Sequence, residues 1–221
     1  MTGTNGCLVY WYDHLVDYVS PVETIIPGVQ GKVLGLLSRS ETEMSMRAVG
    51  RLAGVSAQQS SLVLGQLIDL GIVERRDVPP VALVRLAPDN LAAQMVIALA
   101  GLHQAALGRL AELATSITPA PASLVIFGSF ARSQAGLGSD LDVLAVRPAG
   151  LPGDHDRWTD SLGVWTDTAR RLVGNPVNLI EVAAEELPDL LRRRPPSLWS
   201  DIASDGVVLL GSPLQALGAE A

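Results

Sequence analysis

The run S-L-V-I-F, Ser123 to Phe127, is followed at once by G-S-F-A-R, Gly128 to Arg132, and after the loop S-Q-A-G-L-G-S comes D-L-D-V-L-A-V, Asp140 to Val146. Apolar runs of about five to seven residues bounded by Gly and Ser read as buried strands, since helices need roughly ten or more. Residues i and i+2 of a strand share a face, so Asp140 and Asp142 leave an otherwise apolar ribbon on the same side. Two such carboxylates are expensive there unless a cation holds them. Mg²⁺ suits the position, because it favours one or two carboxylates plus substrate phosphate oxygens over a full protein cage. The chain must therefore build a small sheet in which the end of one strand faces the acidic start of the next.

Composition agrees with a folded chain. Its 221 residues are 48% hydrophobic and 18% charged, enough for one large domain or two small ones without disulfides. The net charge of −7, from 16 bases and 23 acids, argues against a general nucleic-acid coat, whose affinity comes from neutralised phosphates. Cys7 is alone, so no internal disulfide forms, and a reducing compartment fits best. The most apolar stretch, Leu91 to Leu102, contains Gln94 and falls short of the roughly twenty residues a membrane span needs. No base precedes Lys32 and no secretory leader is evident. The expectation is a cytoplasmic protein with no membrane partner.

Three segments are expected. Residues 1–26 hold Tyr10, Trp11, Tyr12 and Tyr18, a cluster that either docks a partner or covers an edge of the chain's own core. Residues 27–90 begin with a helix carrying Val29, Val33, Leu36 and Leu37 at helical spacing. A second helix bears Met46, Val49, Leu52 and Ala53; Gly54 ends it, and Ser56 is placed to cap a third that runs to Gly71. Strands follow at Ile72-Val73 and Val81 to Leu86, around Pro79-Pro80. The run R-L-A-G-V-S, a helix, then D-L-G-I-V-E-R-R resembles the winged helix-turn-helix of bacterial regulators over about residues 27–88. That resemblance implies a recognition helix after G-V-S, with Gln58, Gln59 and Ser61 facing DNA bases and Arg75 and Arg76 facing phosphates. The alternative is a dimerisation or docking module, favoured by the absence of any base on that helix and by Leu62 at an outward position.

Residues 91–221 are the third segment. Leu91, Met95, Leu99, Leu102, Ala106, Leu110, Leu113 and Ile117 trace one apolar stripe, so a single long helix is expected over 91–117. The stripe either packs on the chain's own sheet or forms a seam between two copies in a homodimer. His103 lies beside it and reads as a surface or core histidine rather than a catalyst.

Gly128 lets backbone approach a phosphate closely, and Ser129 offers a hydroxyl and an amide at a strand-to-helix turn. Arg132 is placed either to neutralise phosphate oxygens or to brace the acids of the next strand. The G-S turn followed by D-x-D resembles the nucleotidyltransferases of the DNA polymerase beta superfamily, including the minimal nucleotidyltransferases. The likeness covers about residues 91–211, with L-W-S-D-I-A-S-D-G-V-V-L-L-G similar to the family's last helix and strand. It implies an α/β (α+β) domain with a small mixed sheet, preceded by the winged helix-turn-helix domain. It further implies a triphosphate on Gly128 and Ser129 and two Mg²⁺ ions on Asp140 and Asp142. The reaction implied is attack of an acceptor hydroxyl, of tRNA, a protein or a small molecule, on the α-phosphate of a nucleoside triphosphate.

The sequence departs from the family at the third carboxylate. In P-V-N-L-I-E-V, Pro176 to Val182, the expected acid is Asn178, and Glu181 replaces it only if the strand bulges. Two further readings therefore stand beside nucleotidyl transfer: a transcriptional regulator whose degenerate domain senses a nucleotide, and a toxin-antitoxin component. Arg192, Arg193 and Arg194 are either a guide for a polyanionic acceptor or a solvated helix end.

Overall fold

The structure, a computed structural model, describes residues 16–192 and 197–219. The aromatic cluster Tyr10 to Tyr12, Cys7, His14, Arg193 and Arg194 lie outside them. Two sheets with separate apolar clusters organise the chain.

The first cluster gathers α1 (Pro21–Ile25), α2 (Gly28–Ser38), β1 (Met44–Ser45), α3 (Met46–Leu52), α4 (Ala57–Asp69), β2 (Val73–Val78), β3 (Val81–Leu86) and α5 (Leu91–Ala100). Ser45 and Ser56 cap α3 and α4, each side-chain oxygen accepting a backbone N–H at 3.2 Å. Gly54, at φ +64°, makes the reversal between those helices, where a side chain would be strained. Val33, Val49, Leu64, Leu67 and Val84 are fully buried between the helices and the antiparallel sheet β1-β3-β2.

The second sheet has the order β6-β5-β4-β7, built from β4 (Ser123–Phe127), β5 (Leu141–Arg147), β6 (Val177–Ala183) and β7 (Val207–Gly211). It is mixed: β4 runs antiparallel to both β5 and β7, while β5 and β6 are parallel, joined through α8 (Asp156–Val173). α6 (Leu102–Ala114) and α8 cover one face, where Leu110, Trp158 and Trp165 meet Leu124, Ile126, Val143 and Ala145. α9 (Leu187–Leu191), α10 (Leu198–Asp205) and α11 (Leu214–Ala219) cover the other, meeting Val125, Phe127, Leu144 and Val146. Burial on both faces explains why β4 and β5 read as continuous apolar runs.

The helix expected over 91–117 is two helices. It breaks at Gly101, where α5 and α6 bend by 71°. The stripe serves two cores: Leu99 packs on the first cluster, beside Ala93 and Val96 from off the stripe, while Leu102, Ala106, Leu110, Leu113 and Ile117 belong to the second. Leu91 and Met95, its first two residues, are 70% and 58% exposed. Glycine, the weakest helix former after proline, sits where the two demands diverge. Among the described residues no single helix is long and apolar enough to cross a membrane; α5 and α6 together pass by length and composition alone.

Candidate functional site

β4 delivers Phe127 opposite Asp142 in the antiparallel ladder. The chain then turns through Gly128 at φ +71°, and a Cβ there would collide with Asp142 Oδ2. The carboxylate thus rests against the glycine backbone, and no L-residue fits without displacing it. α7 (Gly128–Ala131) follows; its Phe130 is buried, and Ser129 is half-buried with its carbonyl accepting from Gln134 N at 2.8 Å.

Two residues that sequence reasoning did not assign to the site hold this arrangement from behind. His103, on the first turn of α6, is buried and lies 2.7 Å through Nε2 from the Phe130 carbonyl, a contact that requires the ring to donate from that nitrogen. Of the two readings, surface or core, burial places it in the core, and it also buttresses the turn. Asn175, 1% exposed, donates through Nδ2 to the Ser139 carbonyl at 2.7 Å and accepts from Val16 N at 3.0 Å. Ser139 precedes Asp140, and Leu141 N donates to Pro176 O at 2.8 Å, so the entry to β5 is tied on both sides. The only sequence signal was an Asn after Gly174, which reads as ordinary turn chemistry.

Asp140 and Asp142 are brought together, half-exposed, on the face of the sheet covered by α9, α10 and α11. Asn178 pairs with Asp142 across the parallel ladder and donates through Nδ2 to Asp140 Oδ2 at 3.0 Å and Asp142 Oδ1 at 3.2 Å. One amide thus bridges both carboxylates. Glu181 does not join them. The ladder runs unbroken from Leu141↔Val177 to Arg147↔Ala183, so Glu181, three residues from Asn178, emerges on the opposite face and pairs with Arg147. The strand carries no bulge that would bring Glu181 round to the aspartates, and its carboxylate stands in an ion pair on the other face. Among the described residues no group of three or more His, Cys, Asp or Glu side chains is disposed to hold a metal.

Arg132 is not on the acids either. Its guanidinium lies 3.7 Å from Asp205 of α10 and its Nε 3.4 Å from Gln134 Oε1, leaving the side chain 41% exposed at the rim of the turn.

These features are gathered in one stretch of chain with a known counterpart. Residues 107–194 match the nucleotidyltransferase domain family. The match runs from α6 to just beyond α9 and takes in the turn, both aspartates and Asn178. No curated protein matches the chain. A solved structure described as a toxin-antitoxin crystal structure with AMP-PNP superposes at a TM-score of 0.36, with 15% identity, over 52% of this chain and 82% of that one.

In the first unit, Gln58, Gln59 and Ser61 are exposed on α4 beside Leu62, which is 65% exposed. Gln59 Oε1 accepts from the capping Ser56 hydroxyl at 3.1 Å. Arg75 pairs with Asp77 at 2.8 Å, Arg76 with Glu43, and Arg85 with Glu74 at 2.9 Å. The Arg76 guanidinium holds the Glu43 carboxyl below its ordinary range. The hairpin's cations are thus already matched within the unit.

Proposed function

We propose that the C-terminal unit binds a nucleoside triphosphate with Mg²⁺ and transfers its nucleotidyl group to an acceptor hydroxyl. The observation that carries this is the seating of the Asp142 carboxylate against Gly128, with Asp140 beside it and the half-buried Ser129 next in the turn. The donor set fits one Mg²⁺: two half-exposed carboxylates on one side, a pair of the kind Mg²⁺ shares with substrate phosphate oxygens. Held by Asp140 and Asp142, that ion would neutralise charge on the phosphates. The Ser129 hydroxyl and turn amides would orient them, and Arg132, 41% exposed, is free to swing from Asp205 toward the same group. In the transfer, the acceptor oxygen forms a bond to the α-phosphorus, the α–β phosphoanhydride bond breaks, pyrophosphate leaves, and the acceptor proton passes to solvent. The test is incubation with each α-labelled nucleoside triphosphate, Mg²⁺ and acceptors including tRNA. Label transfer that Asp140→Ala with Asp142→Ala abolishes is expected; none from the native chain, or transfer surviving the double substitution, ends this reading.

The first unit is assigned as a winged helix-turn-helix over 27–90, supported by the order helix, short strand, two capped helices and hairpin. Its core extends through α5, which favours placing the boundary at Gly101.

A second reading is favoured by Asn178 and Glu181. With an amide in place of the third acid and Glu181 turned away, the chain would be a regulator that binds nucleotide without transferring it and reads DNA through α4. Salt-dependent binding to the DNA upstream of its own gene, altered by nucleoside triphosphate, is the expected result. Triphosphate affinity without any operator binding counts against it.

A further inference from the structure

Both readings share the nucleotide site, and Asn178 separates them. We propose that Asn178 restricts this site to a single divalent cation, the one that accompanies the triphosphate. The inference rests on the reading of Asp140 and Asp142 as the cation-binding pair.

Charge is the first ground. Asp140 and Asp142 supply two negative charges, enough to balance one divalent ion, and Asn178 supplies none. Glu181, the one acid on β6, is committed to Arg147 on the far face, so nothing on β6 makes up the difference. A second divalent ion a few ångströms from the first repels it strongly, and such pairs are held by carboxylates shared between them. Hydrogen-bond chemistry is the second ground. The Asn178 amide bridges the carboxylates by donation at 3.0 Å and 3.2 Å, so a proton-bearing nitrogen occupies the edge of the pair that a shared ligand would otherwise approach. An N–H group donates and cannot ligate a cation. Rotating the amide to present its oxygen would give a neutral ligand and forfeit both hydrogen bonds. Register is the third ground. Asn178 lies directly across from Asp142 in an unbroken parallel ladder, so an acid at this position would stand beside both aspartates with no rearrangement of the backbone.

Asn178→Asp is the direct test, because it is isosteric and the side chain is exposed. The probe is Mn²⁺ with each of the four α,β-methylene nucleoside triphosphates, whose α–β bond cannot be cleaved. Bound Mn²⁺ is counted by electron paramagnetic resonance at saturating nucleotide, and nucleotide affinity is measured by calorimetry. The native chain is expected to bind one Mn²⁺ per nucleotide, and Asn178→Asp two, with the magnetic coupling of a close pair. Asn178→Ala should still bind one and serves as the control for loss of the amide bridge alone. Two ions on the native chain, or one on Asn178→Asp with nucleotide bound, overturns the proposal. Failure of every form to bind any of the four nucleotides overturns the nucleotide-site reading itself, a distinct outcome.

Discussion

Gly128 sits at φ +71°, in a region that costs an L-residue about 1–2 kcal/mol, and a Cβ there would collide with Asp142 Oδ2. Gly128→Ala should therefore lose that backbone term plus about 1–3 kcal/mol for forcing the carboxylate aside, the usual range for overpacking. Asp142→Ala alone removes a hydrogen bond from Asn178, measured at 3.2 Å, but also relieves repulsion with Asp140, so its net effect should stay within about 1 kcal/mol. Combined, the two substitutions leave only the backbone term, because the obstacle has gone. The double-mutant cycle should then show a favourable coupling of about 1–3 kcal/mol. Urea unfolding followed by the fluorescence of the buried Trp158 and Trp165 reads it directly. Additivity within about 0.5 kcal/mol would mean that the carboxylate does not rest on the glycine, and the geometric basis of the site would fall.

Three further outcomes follow from the surroundings. Asn175→Ala should cost about 2–4 kcal/mol, since it strips partners from the Ser139 carbonyl and Val16 N–H, and thermal unfolding checks it. Burial pushes the Tyr18 phenol up to about 12, from an ordinary value of 10.0. Above pH 10 the unfolded chain ionises this group while the folded chain does not. Its contribution is thus complete below pH 10 and is lost as pH rises toward 12, by on the order of 1–3 kcal/mol in all. Tyr18→Phe should flatten that part of the curve, and an unchanged decline in urea midpoints between pH 9 and 11 would refute the assignment. Glu181→Gln should leave triphosphate affinity within about twofold, because the pair with Arg147 lies across the sheet from the aspartates; a tenfold loss by calorimetry would return Glu181 to the site.

The chemistry-bearing strands were legible because period-two placement and apolar continuity are local properties. Asp140 and Asp142 share a face as their spacing requires, and Asn178 stands opposite Asp142 because the P-V-N-L-I-E-V run forms a regular strand. Capping by Ser45 and Ser56 acts through neighbouring amides; the Ser56 cap was readable in the sequence, that of Ser45 came only with the structure. The break at Gly101 was not legible: a stripe stepping by three and four is the same whether one core or two receive it, and only tertiary packing decides. The same holds for Asn175 and His103, whose partners lie 27 or more residues away. The Arg132 to Asp205 contact joins α7 to α10, which spacing within either segment does not encode.

The His103 and Asn175 contacts lie where the chain crosses between the two clusters. The chain passes between the two clusters at residues 16–20 and again at Gly101. Tyr18 N donates to Ala135 O and its hydroxyl to Val173 O, both at 2.9 Å, before Val22 enters the first cluster. At the other crossing His103 follows the bend by two residues and reaches Phe130. Tyr18, His103 and Phe130 then pack on one another, with ring centroids 4.8 Å apart for Tyr18 and Phe130 and 4.9 Å for His103 and Phe130. Phe130 is two residues from Gly128. Both tethers of the first unit therefore pack on the side chain that backs the turn, and a shift of that unit about Gly101 would bear on the turn together with Val173 and Asn175, which hold Tyr18 and Val16. Close packing transmits such displacements rather than absorbing them.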